Sequence, residues 1–444
     1  MIFLKRRRLI IWLIKAYLKK LKKTIFLSFA VGLATFFIFY IFFKILQPSF
    51  PLNQKDVVGI IGTYNVNDLP TEVTSKMSFG LTAISANGLP VSSGASSWKI
   101  RDNGKTYEFL LKDNIYFNDH SKFTSDEINY NFEDVSVEKP SKNKILFKLK
   151  NSYSPFLVTV SKPIFKKNFV GLGNYKLKSL NVSGDFVNSI ELSPVKSGKN
   201  IIYQFYPTEE ALKIALILGE INKTSDVYDL SFLNINFKNF KNYVITRRVN
   251  YDKLVTLFYD TQDKTLSDKR LRESLSYALP NSFTEGEKTT TPYPSNFWAS
   301  KENSLSYQQD ITHAKLLLAQ SESSGSAKIK LTIKSLPKYK PVAEKIKDSW
   351  KEIGIQTDVQ ITNSLPPSFQ IFLGEFNVSK DPDQYVLWHS SQPNNISRYK
   401  NLRIDKLLED GRQITDLQER EKIYSDFQKY LLDELDYFRR KKWL

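Results

Sequence analysis

The sequence predicts an α/β protein of more than one domain, preceded by one N-terminal transmembrane helix. Three observations carry this expectation. The chain has 444 residues, too many for one core and enough for two or three domains. Ile25 to Phe43 is a nearly unbroken apolar run without a charged residue. Further on, the apolar stretch Ile329–Ile333, an amphipathic Val342–Ile353 ending at Gly354, and Ile355–Ile361 read as strand, helix and strand. That order suits a parallel sheet with a crossover helix.

Residues 1–23 hold nine lysines and arginines and no acid. This basic block predicts a cytoplasmic N-terminus, with the rest of the chain outside. Extended to Leu46, the apolar run reaches ~20 residues, long enough to cross a hydrocarbon core. Phe36 to Phe43 is bulky and no small-residue cleavage site follows, so an uncleaved signal-anchor over 24–47 is expected rather than a removed signal peptide. The shorter Leu9–Leu18 stretch, interrupted by Lys15, is expected to lie along the inner membrane surface, where anionic lipid attracts its cations. Residues 48–55, with Pro48 and Pro51, form a tether.

Beyond the tether, Val57–Gly62 is a short apolar strand. Trp98 to Val135 has a clear local grammar. Asp102-Asn103-Gly104 is a tight turn, Thr106–Leu111 a strand, and Asn118-Asp119 a second turn. Thr124 and Glu127 are spaced as a capping box, so a helix is expected there, with Ile128, Phe132 and Val135 on its apolar face. Gly171–Tyr175 reads as a turn entering a strand. Ile201–Tyr206 is a strand, Thr208 caps a helix over 209–219, and Val227–Leu233 suits the strand after it. A second lobe begins around Tyr251, with strand Leu254–Phe258 and a helix ending near Ala278, before Pro280. Ser321–Ser326 is a surface loop.

These segments, in this order, resemble the extracytoplasmic solute-binding proteins of peptide-type ABC importers, known as family 5. The resemblance rests on the Trp98 strand, the Asp-Asn-Gly-Lys turn, Tyr107-Glu108-Phe109-Leu110-Leu111, Tyr153–Leu157, Gly171–Tyr175, Ser267–Ala278, Asp310–Leu318 and Asp381-Pro382-Asp383. It implies a two-lobed periplasmic-binding-protein-like fold of type II, peptide-binding class. Lobe I with an inserted subdomain would span 56–248, and lobe II with the C-terminal helices 249–444.

Three departures stand out. The glycine usual in the second turn is replaced by His120, which must adopt a turn conformation that glycine takes more easily. The chain stops at Phe438–Leu444, where the family continues; either the end is truncated or frame-shifted, or the return segment is lost, and such a loss would leave a strand position of the second lobe empty and a sheet edge exposed. Finally, Val378 stands where peptide-binding members place the aspartate that pairs with a peptide's α-amine.

Composition excludes several chemistries. The chain has no cysteine, hence no disulfide, thiolate metal site, cysteine nucleophile or lipidated cysteine anchor. His120, His313 and His389 lie far apart and form no metal-ligand spacing, so no metal or cofactor is expected. Much of the net charge of +18 precedes the membrane span, so nucleic acid is not an expected partner. No catalytic residues are expected. The resemblance instead implies a cleft between lobes with aromatic walls and placed polar groups. Candidate ligand residues are Tyr64 and Asn65 after the first strand, Trp298 after a proline-rich approach, Glu375, and Tyr385, Trp388 and His389 after the Asp-Pro-Asp block. The implied role is the extracytoplasmic, membrane-anchored binding component of an ABC importer, with a permease of the same membrane, the lipid bilayer and a peptide or similar small solute as partners. The alternative is a non-transport ligand sensor, or a degenerate scaffold, on the cell surface.

Overall fold

A computed structural model describes residues 12, 15–46, 55–225, 227–251, 253–283, 286–289, 291–294, 296–301, 308–321, 329–432 and 436–443. The tether over 48–54 and the loop over 322–326 lie outside the described residues. Two compact units divide the chain, Met1–Lys55 and Asp56–Leu444. The main element of the first is the 25-residue helix Lys22–Leu46. At 1.5 Å per residue it is roughly 37 Å long. Its segment Lys22–Phe42 is long and apolar enough to cross a bilayer.

The second unit is built on two large mixed sheets. In the first lobe the strand order is Lys223–Thr224, Asp56–Ile61, Ile201–Tyr206, Phe186–Pro194, Tyr175–Ser183. Asp56–Ile61 runs parallel to Ile201–Tyr206. Alternation along it serves two cores: Val57 and Ile61 pack under the helix Glu209–Leu218, while Val58 and Ile60 pack toward Val73 and Met77. Thr208 Oγ1 accepts the Ala211 N–H and Gly219 closes the helix in the left-handed conformation, as the sequence predicts. The following strand forms earlier than expected. Asn222 pairs with Val57 through both its backbone and its side chain, so the chain joins the sheet edge at Lys223–Thr224. Within 227–233 only Ser231–Phe232 is a strand, paired with Ile235–Asn236.

A separate antiparallel four-stranded sheet has the order Ala95–Arg101, Thr106–Leu111, Lys144–Leu149, Val135–Ser141. Its Asp102-Asn103-Gly104 turn has positive φ at all three residues, and His120 sits at φ 69°, as its turn demands. The helix expected after Thr124 is absent. Only Ser125–Glu127 makes a 3-10 turn, and Thr124 forms no side-chain cap. Ile128, Tyr130 and Phe132 instead pack onto one core, a period of two that only an extended chain satisfies. The Tyr130 hydroxyl donates to the Val160 and Lys162 carbonyls, and its ring stacks on Phe132 at 5.4 Å.

In the second lobe, an eight-stranded sheet follows the order Ser282–Phe283, Gly286–Thr289, Asp436–Trp443, Lys253–Tyr259, Ile371–Asn377, Lys330–Ser335, Gln356–Ile361, with Arg247–Val249 paired to the Asp436–Trp443 strand. Helices cover both faces. Val255, Leu257 and Tyr259 face a core shared with helices Lys269–Ala278 and Lys340–Glu352, while Leu254 and Phe258 face one shared with Leu402–Gln413 and Leu417–Leu432. A strand buried on both faces reads as a continuous apolar run, which is why Leu254–Phe258 is legible. Lys330–Ser335 and Gln356–Ile361 are parallel across the helix Lys340–Glu352, as predicted. The expectation of an empty strand position is overturned. Asp436–Trp443 fills it, pairing antiparallel with Lys253–Tyr259 and with Gly286–Thr289. Pairing is a backbone property, so an altered tail sequence still satisfies the donors and acceptors of that edge.

Candidate ligand cleft

A cleft of about 510 Å³ opens between the two lobes. The first lobe contributes Thr71, Ser75, Ser78–Gly80, Thr82–Ala86, Ser161 and Pro163; the second contributes Tyr251, Pro294, Asn296, Phe297 and Val378–Lys380. Gly80 sets one wall. A Cβ there would stand 2.4 Å from the Val160 carbonyl oxygen, so glycine alone lets this turn lie against Val160–Ser161. The Leu81 N–H then donates to the Val160 carbonyl at 2.9 Å. At the rim, the Trp298 N–H donates to the Asn87 carbonyl and Asn296 Nδ2 to the Ala86 carbonyl, both at 2.9 Å. Among the described lining residues Lys380 is the one charged side chain; the others are hydroxyls, an amide and apolar groups.

A side chamber of about 300 Å³ lies beyond Gly88, which borders both spaces. Its walls include Leu89, Pro90, Ile100, Leu157 and Val158 of the first lobe and Trp298 and Leu417 of the second. Asp381 and Arg420 also line it, ion-paired at 2.8 Å with side chains 7% and 8% exposed. Arg420 lies over the Trp298 ring at 5.3 Å and its Nε donates to the Gly411 carbonyl. A second pair, Arg412 and Asp383 at 3.0 Å, stands next to it, with Arg412 over the rings of Tyr385 and Tyr153. Burial pushes the Asp383 carboxyl up, against the pull of Arg412. The Ser154 N–H donates to the Arg412 carbonyl at 2.7 Å, bringing the segment after the Lys144–Leu149 strand against the last turn of the Leu402–Gln413 helix.

The sequence candidates fall in several places. Val378 borders the cleft and Trp298 the side chamber. Trp388 does not face the cleft. It is 1% exposed in the second-lobe core, stacked on Phe258 at 5.9 Å, with Nε1 donating to Gln384 Oε1 at 2.7 Å. Tyr385 stacks on His389 at 4.2 Å, and His389 Nδ1 accepts the Ser391 N–H while Nε2 lies 3.3 Å from Glu409. These contacts engage both ring nitrogens of His389 inside the second lobe. Glu375 is held by Lys253 at 3.1 Å, Lys338 at 2.7 Å and the Tyr339 hydroxyl. Burial alone would raise its pKa, but Lys338 and Lys253 outweigh it and bring the value down to about 2. Tyr64 donates to the Ile61 carbonyl and packs on Phe205, and Asn65 is an exposed turn residue. Thr71, Ser75, Tyr251 and Lys380 carried no sequence signal, because small polar residues and single cations do not stand out from a loop.

Two lobes around a cleft, each with a helix-covered mixed sheet, define a periplasmic-binding-protein fold of type II. A profile of bacterial extracellular solute-binding proteins, family 5, middle region, matches residues 90–398. The chain belongs to that family. It is similar to the probable D,D-dipeptide-binding periplasmic protein of Escherichia coli, 23% identical over 407 residues covering 77% of each chain. Among solved structures it resembles the ABC transporter substrate-binding protein CtaP of Listeria monocytogenes, with a TM-score of 0.72, 23% identity, and coverage of 88% of this chain and 93% of that one. NikZ of Campylobacter jejuni, solved in complex with Ni(L-His), has a TM-score of 0.69 at 21% identity, covering 88% and 94%.

Proposed function

We propose that this chain is the extracytoplasmic substrate-binding component of an ABC importer. The helix within 24–47 holds it at the outer membrane face, with residues 1–23 cytoplasmic and 48–55 as tether. The lobes, 56–248 and 249–444, close on a peptide or similar small solute and present it to a permease. The observation that carries this proposal is the interlobe cleft of about 510 Å³ in a family 5 chain. Thr71, Ser75, Tyr251, Asn296 and Lys380 are the residues we assign to solute contact, with Trp298 at the adjoining chamber. Val378 supplies no charge for an α-amine, which favours a solute whose recognition does not depend on one.

The test is native mass spectrometry and metal analysis of the full-length chain purified in mild detergent. The expected result is a co-purifying solute whose re-addition raises the melting temperature; at 100 times Kd, mass action gives about 2.7 kcal/mol. No co-purified species, and no melting shift with di- to pentapeptides, sugars or nickel–histidine, would instead support the sensor or scaffold alternative.

A further inference from the structure

We propose that the first lobe docks on the lipid surface through an exposed apolar patch, at the end where the chain arrives from the membrane helix. The proposal rests on the membrane-anchored reading above and adds which face of the lobe meets the lipid. The helix Glu209–Leu218 carries two apolar stripes. Leu212, Ala215 and Leu216 face the core, as in any surface helix. Ile214, Ile217 and Leu218 form a second stripe on the other side, where such a helix ordinarily carries polar residues. All three are exposed, Leu218 by 67%. The Tyr243 hydroxyl donates to the Leu216 carbonyl at 2.9 Å, which brings its neighbours Phe240 and Val244 to the same helix end. Both are exposed, Val244 by 89%.

Where this patch lies names its occupant. The Asn222 N–H donates to the Val57 carbonyl, Asn222 Oδ1 accepts the Val57 N–H, and Lys223 pairs with Asp56 at 2.7 Å. The end of the helix therefore stands beside the first residues of the lobe. Asp56 follows Leu46, the last residue of the membrane helix, by ten residues. A chain of that length spans at most about 35 Å, so the entry point cannot lie farther than this from the helix end. Charge points the same way. Lys238 and Lys241 are exposed beside Phe240, and residues 230–251 contain no acid. Glu220 is an exposed carboxylate just past the helix, while Glu209 and Glu210 stand at its far end. Apolar side chains rimmed by lysines suit an anionic headgroup layer, into which such surfaces sink by roughly 5–10 Å.

The test uses the full-length chain in nanodiscs of phosphatidylcholine and phosphatidylglycerol. Because the chain has no cysteine, Leu218→Cys, Val244→Cys and Leu402→Cys each accept one fluorophore. Leu402, 88% exposed on the second lobe, is the control. Phosphatidylcholine spin-labelled at its headgroup should quench the first two labels at least threefold more than the third. Adding Ile217→Asp, or separately Phe240→Asp, should bring quenching of the Val244→Cys label down to the control. The two substitutions lie on different segments, so one misfolded variant does not decide the outcome; melting curves report folding. Equal quenching at all three positions in a chain that has entered the nanodiscs, or quenching that survives both aspartates, overturns the docking face and leaves the anchor intact. Labels shielded from aqueous iodide but not quenched by lipid would mean that protein, such as a second copy in the same disc, covers the patch, and would overturn the proposal too. A chain that does not enter the nanodiscs overturns anchor and docking together. Solute capture is decided separately, by the co-purified solute.

Discussion

Trp388 and Glu375 show how residue type alone misleads about role. An indole after the Asp-Pro-Asp block suits a ligand wall, yet Trp388 is buried between Phe258 and Phe376. Trp388→Ala should therefore cost about 3–5 kcal/mol of stability, as for other buried aromatic truncations. Urea denaturation checks this, and solute affinity per folded molecule should be unchanged. Glu375 holds two lysines and a tyrosine on the sheet rather than a solute. Its folded pKa of about 2 lies below the ordinary 4.5, so its contribution is present above pH 4.5 and lost as pH falls toward 2. The size is on the order of 3 kcal/mol. Glu375→Gln should destabilise the chain near neutral pH, and the gap from the parent should close across that acid window. A gap independent of pH in equilibrium unfolding would show that the carboxylate charge is not what matters.

At the scale of elements, two threonines with similar sequence surroundings part company. Thr208 and Thr124 both precede acidic residues and an apolar segment, and both predict a cap. Thr208 Oγ1 accepts the Ala211 N–H at 3.2 Å; Thr124 makes no such bond. Thr208→Ala should cost about 1 kcal/mol, while Thr124→Ala should stay within about 0.5 kcal/mol, by the same melting experiment. The difference explains what was legible. Glu209–Leu218 has helical spacing and a glycine stop, so local signals and tertiary packing agree. After Thr124 the capping box is overruled by Ile128, Tyr130 and Phe132, whose rings and hydroxyl find partners only in an extended chain. The strand Lys253–Tyr259 was legible because burial on both faces demands apolar residues. Asp436–Trp443 was not, because a strand held by backbone pairing to both neighbours places no such demand on its sequence. The cleft residues were hidden for a related reason: the fold brings Ser75, Tyr251 and Lys380 together from segments that carry no local pattern.

For the whole molecule, the proposed solute capture depends on the lobes parting and closing around the cleft. The rim hydrogen bonds from Trp298 to Asn87 and from Asn296 to Ala86 cross between them. Each is worth only about 1 kcal/mol net, so thermal motion can open this rim. Hinge closure of this kind gates exchange, since a solute enclosed between two walls leaves only when they separate. Because the chain has no cysteine, a pair introduced by Ala86→Cys and Asn296→Cys would be its only thiols. Joining them with a short bismaleimide should slow release of bound solute at least tenfold, measured by stopped-flow displacement, whereas each single variant treated alike should release at the parent rate. Release unaffected by the cross-link would mean that the solute leaves by a route that does not require these two elements to part, and the cleft would have to be entered from another side.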